Sequence, residues 1–163
     1  MNFKEYIQSL NESTQNVEKT LSKIFKSSND YEIDDTDDIA EVQIFIDKNN
    51  ISALKPLLDT FVISLDDLYF DDATDEFVLE FDDSNPRDGQ SAEVKYTIYF
   101  SDLADIEVDK LPLKTVAKNL QNDFDAGIIN DSTKSVLKSV RDLFGGIDEE
   151  SAKIIIGRIA ENS

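Results

Sequence analysis

The apolar positions Phe3, Ile7, Leu10, Val17, Leu21 and Ile24 follow alternating steps of four and three residues when polar Thr14 fills the gap, the repeat of one helical face. Asn2 with Glu5 three residues later adds a capping-box start. The pattern predicts an amphipathic helix to about Phe25, ended by Ser27, Ser28 and Asn29. The run Asp30 to Asp38 then reads as a solvated acidic connector. Two periods compete over residues 37 to 48: Ile39, Val42 and Ile46 form a helical stripe, whereas Val42, Ile44 and Ile46 alternate as in a strand. Asp37 or Asp38 as a cap tips the expectation to helix. A short helix is predicted from Ile51 to about Thr60, with Pro56 just after its first turn.

Period two returns in Phe61, Ile63 and Leu65, in Phe77, Leu79 and Phe81, and in Val94, Tyr96, Ile98 and Phe100, predicting three antiparallel strands. Asn85-Pro86 and Asp88-Gly89 mark the loop between the last two. Pro112 opens a helix with the face Leu113, Val116, Ala117, Leu120 and Phe124, and Gly127 lies just past its end. Asp131 or Ser132 caps the next, which buries Val136, Leu137, Val140, Leu143 and Phe144 and stops at Gly145-Gly146. Asp148 caps the last, whose stripe is Ala152, Ile155, Ile156 and Ile159. The expected fold is α+β in one domain, 1–163: an N-terminal helix (1–27), an acidic region holding a small antiparallel sheet (30–109), and a C-terminal helical hairpin or three-helix group (110–163). A chain of 163 residues buries roughly two-thirds of its unfolded surface.

Charge changes this picture most. Twenty-four of the thirty-five acidic residues lie between Asp30 and Asp109, opposed only by Lys48, Lys55, Arg87 and Lys95, while the flanks are nearly balanced. Asp outnumbers Glu by twenty-three to twelve, which keeps charge close to the backbone. A net charge of −19 disfavours direct binding of nucleic acid or anionic membrane and favours a basic protein partner.

The chain has no His and no Cys, which excludes a Ser-His-Asp triad, a Cys nucleophile, His-ligated zinc and disulfides. Five Gly, none in a GxxxxGK[ST] or GxGxxG setting, exclude the common nucleotide loops. Carboxylate chemistry remains. Asp30, Glu32, Asp34 and Glu41 occupy positions one, three, five and twelve of a calcium-loop register, but Asp35 stands where the turn needs Gly. Asp71, Asp72 and Asp75 are equally well explained as a turn. No catalytic residue, metal site or cofactor is assigned.

The segment Met1-Asn2-Phe3-Lys4-Glu5-Tyr6-Ile7, followed by Leu10-Asn11-Glu12-Ser13, resembles the capsid-targeting leader of internal head proteins of T-even-type bacteriophages. The resemblance covers about thirteen residues. It implies processing between Glu12 and Ser13, and packaging in a virion followed by delivery into a host, where some members inhibit defence enzymes.

Composition and resemblance together predict a non-catalytic, phage-encoded acidic protein that presents Asp66, Asp67, Asp71, Asp72, Asp75, Asp82 and Asp83 to a basic partner, as a DNA-mimic-like inhibitor of a nucleic-acid-binding or defence enzyme. A virion head or scaffold component is the first alternative, and a divalent-metal-dependent enzyme or calcium-binding protein the second. No apolar run is long enough to span a bilayer, and the expected location is a host cytoplasm or a virion. Oligomeric state is left open.

Overall fold

Strands, not a connector and a helix, occupy residues 31–35 and 39–46 in the computed structural model of the protein, which describes residues 17–35, 39–74, 76–83 and 93–161. Strand β1, Tyr31–Asp35, pairs antiparallel with β2, Ile39–Ile46, and the register sets Tyr31 opposite Ile44, Ile33 opposite Val42 and Asp34 opposite Glu41. Four β-branched residues in eight (Ile39, Val42, Ile44, Ile46) favour the pleated conformation, and period two overrides the helical stripe. Glu32 and Asp34 of the acidic run are exposed on this pair.

The five-stranded sheet has the order β1-β2-β5-β4-β3, where β3 is Tyr69–Asp71, β4 is Glu76–Asp83 and β5 is Glu93–Phe100. The predicted strands at 77–81 and 94–100 are present as β4 and β5. The predicted strand at 61–65 is absent: Phe61 ends a helix, Val62 turns left-handed with φ 52°, and Leu65–Asp67 form a 3-10 turn. The strand pairing with β4 is the short β3 instead, Phe70 opposite Phe77.

By contacts the chain divides into two compact units, Met1–Phe45 with Leu79–Tyr99, and Ile46–Val78 with Phe100–Ser163. In the first unit helix α1, described over 17–24, buries Val17 and Leu21, and Phe25 just past its end is also buried. Phe25 lies 6.2 Å from the Tyr31 ring. Burial, with the nearby charge of Glu18, raises the Tyr31 phenol above its ordinary value. Along the strands Ala40, Val42, Ile44, Leu79, Val94, Tyr96 and Ile98 are buried, and Phe81 stacks on Tyr96 at 4.6 Å. The rest of the expected N-terminal helix lies outside the described residues.

The second unit is built on helices. Helix α2, Leu54–Phe61, follows a 3-10 turn, and Pro56 is its third residue, where a missing N–H leaves no helical bond unmade. A hairpin of β6, Glu107–Val108, and β7, Leu111–Pro112, leads into α3, Leu113–Asp125, which is followed by α4, Asp131–Leu143, and α5, Glu149–Glu161. Their facing positions form the core: Val116, Ala117 and Leu120 on α3, Leu137 and Val140 on α4, and Ala152, Ile155, Ile156 and Ile159 on α5. Phe144 is buried as expected, while Val136 and Leu143 are only half-buried. The cap of α4 is Asn130 rather than Asp131 or Ser132; its Oδ1 accepts from the Thr133 N–H at 2.9 Å. Asp148 caps α5 as expected, accepting from the Ser151 N–H at 3.3 Å. At Gly145, φ is +85° and a Cβ would overlap the Ser52 carbonyl, so only glycine lets α4 end against that turn. The expected α+β architecture is thus present, with a larger sheet than the three predicted strands.

Candidate protein-binding face

Alternation along the strands of the first unit sends one set of side chains into the core and the other outward. On β1 the outward positions are Glu32 and Asp34, both exposed. On β2 they are Glu41, Gln43 and Phe45, on β4 Glu80, and on β5 Lys95, Thr97 and Tyr99. The four strands β1, β2, β4 and β5 carry nine acidic residues and one basic residue, Lys95.

Two features distinguish this face. Asp34 and Glu41 are cross-strand partners, and Glu32 lies on the same face two residues from Asp34. Strand geometry spaces such side chains about 7 Å along a strand and about 5 Å across it. Those spacings are shorter than the roughly 8 Å screening length of physiological salt, so the fields of these carboxylates add. Beside them Phe45 and Tyr99 stack, ring centroids 5.7 Å apart and planes within 15°. A concavity of about 550 Å³ opens here, lined by Glu41, Gln43, Glu80, Lys95, Thr97 and Tyr99. Carboxylates beside aromatic rings suit a guanidinium, which pairs with the first and stacks on the second.

Of the seven Asp expected to bind a partner, the side chains of four are described, Asp66, Asp67, Asp71 and Asp72. Asp66 and Asp67 lie exposed in the 3-10 turn, where Ser64 accepts from the Asp66 N–H at 3.4 Å and donates its hydroxyl to Asp66 Oδ2 at 3.0 Å. Asp71 ends β3, and its Oδ1 accepts from the Ala73 N–H at 3.0 Å; Asp72 is exposed in the same turn. Asp66 and Asp71 therefore have local turn-making work. Asp82 and Asp83 fall at the end of β4, and their side chains, like Asp75 and the processing pair Glu12 and Ser13, lie outside the described residues.

Sequence reading passed over Glu32 and Asp34 because it took 30–38 for a linker, and Glu41 because it took 37–48 for a helix. Glu80 lies on a strand that was predicted and drew no attention as a lone acid between apolar neighbours. The alternation Tyr31-Glu32-Ile33-Asp34 was the available signal. The calcium-loop register does not coil about a cation, since its first and last ligand positions lie on or beside two antiparallel strands. Among the described residues no group of three or more His, Cys, Asp or Glu is placed to hold a metal ion. No described helix is long and apolar enough to cross a membrane.

Folding also redistributes the charge. The first unit has fifteen acidic and six basic residues, and the second twenty and ten, so the excess negative charge is shared almost equally between them. Comparison of the chain with protein-family models, characterised proteins and solved structures finds no match.

Proposed function

We propose that this is a non-catalytic binding protein whose outward sheet face, Glu32, Asp34, Glu41 and Glu80 with the Phe45–Tyr99 stack, occupies the basic groove of a nucleic-acid-binding protein. The observation that carries it is the pairing of Asp34 with Glu41. Like charges directly opposite in a sheet weaken it, so a carboxylate grid at that register favours binding over stability. Spacings of about 5–7 Å among Glu32, Asp34 and Glu41 give the β1–β2 part of the face a dense array of negative charge, the property by which phosphates attract Lys and Arg. The stacked rings add an apolar contact that a plain phosphate backbone does not offer.

The test uses the full-length protein and the variant E32Q/D34N/E41Q/E80Q. A basic partner captured by the parent at low salt should have its binding to duplex DNA competitively blocked, and the variant should lose capture and blockade together. Equal blockade by the two proteins would refute the assignment of this face.

A further inference from the structure

Although the net charge is −19, one groove of the second unit is lined by three cations and one acid. It runs between α3 and α5, has a volume of about 670 Å³, and is lined by Lys118, Gln121 and Asn122 from the first helix and Lys153, Gly157 and Arg158 from the second. Glu161 is the acidic residue among its lining residues. The pattern follows from helix periodicity: Lys118 and Asn122 are four apart on α3, and Lys153 and Gly157 are four apart on α5.

Three local contacts shape it. Lys153 Nζ lies 5.5 Å from the centroid of the Phe124 ring and 3.2 Å from Glu149. Arg158 lies 3.6 Å from Glu161, a second half-exposed pair of the kind that contributes little to stability. Gln121 donates to Asp125 at 2.9 Å, and a Cβ built on Gly157 would meet its Oε1 at 3.6 Å, so glycine keeps the floor low.

We propose that this groove binds a compact, multiply charged anion, an oligophosphate or a polycarboxylate. Three cations around a concavity of ligand size supply charge-assisted hydrogen bonds, and the Arg158 guanidinium offers a fork matched to phosphate or carboxylate oxygens. A long polyanion does not fit the same argument. Screening confines the groove's field to about 8 Å, and a nucleic acid extending beyond it would meet a surface that is negative elsewhere.

Calorimetric titration of the full-length protein with tripolyphosphate and, separately, with citrate at about 50 mM salt tests this. Backbone amide shifts report the location. At least one anion should bind, with shifts centred on Lys118, Asn122 and Gly157. K118Q and R158Q, both surface changes, should each weaken binding about tenfold, as expected for loss of one charge-assisted contact. K138Q on α4, outside the groove, should leave it unchanged. Tripolyphosphate binding alone identifies phosphate as the ligand class, and binding of both anions identifies charge as the determinant. Absence of heat and shifts at millimolar anion, or equal loss in K138Q, would overturn the site. Circular dichroism of each variant separates lost binding from lost fold.

Discussion

Asp34 stands directly opposite Glu41 across the β1–β2 pair, two carboxylates at a register where an ion pair would strengthen the sheet. Asp34→Lys should therefore stabilise the protein by about 0.2–1 kcal/mol while weakening attachment of a basic partner. Urea midpoints for D34K, E41K and the double variant measure the coupling. Restoring like charge with opposite sign in the double variant should return stability toward that of the parent.

Gly145→Ala should be among the most destabilising single-methyl changes. It combines φ of +85° with an overlap on the Ser52 carbonyl. The backbone strain alone costs about 1–3 kcal/mol, readable as a lower urea midpoint with an unchanged slope. Gly157→Ala is the contrast: its Cβ has room, and alanine's helix preference should stabilise by up to about 1 kcal/mol.

Val62 caps α2 in the left-handed region, φ 52° and ψ 53°, with 89% of its surface exposed. A β-branched side chain is strained there, and nothing in its burial offsets the cost. Val62→Gly should raise stability by about 0.5–1 kcal/mol, visible as a higher melting temperature.

The Asp148 carboxyl is held below its usual range, chiefly by hydrogen bonding to the Ser151 side chain, with the Ser151 N–H and the Arg141 charge adding to it. A carboxyl whose folded pKa is depressed contributes stability above its unfolded pKa and loses it as pH falls through the folded value. Asp148→Ala should cost about 1 kcal/mol at pH 7, and the gap to the parent should narrow below about pH 4. A gap that widens on acidification would contradict the cap's role.

The resemblance of residues 1–13 to a capsid-targeting leader implies cleavage between Glu12 and Ser13. We propose that the first twelve residues act as a removable leader, so a chain beginning at Ser13 should keep the melting temperature within a few degrees. Intact mass of the protein from its native setting should show the shorter chain, and only full-length mass would argue against processing.

Where one period dominated, the elements were legible. The stripe Ala152, Ile155, Ile156, Ile159 is buried as a unit, and Val94 to Phe100 alternates as β5. Where two periods overlapped, at Ile39 to Ile46, a cap-based argument outweighed β-branched density and gave the wrong element. Phe61, Ile63 and Leu65 failed differently, because a helix end and a 3-10 turn can also space apolar residues by two. The proposed face was hidden by the same errors: Glu32 and Asp34 stood in a mistaken linker and Glu41 in a mistaken helix, while Asp66 and Asp71, prominent by clustering, also hold turns. Charge density was visible in the sequence; the face that displays it required the register of β1 against β2.

The central claim is that the outward sheet face, not acidity in general, recognises basic groups. Residue-resolved NMR titration with an arginine-rich peptide tests it most directly. Shifts should centre on Asp34, Glu41, Gln43, Phe45 and Tyr99, and the E32Q/D34N/E41Q/E80Q variant should lose them together with most of the salt dependence. Shifts spread evenly over all exposed acids, or centred on the Asp66–Asp72 turn and unaltered in that variant, would contradict the account.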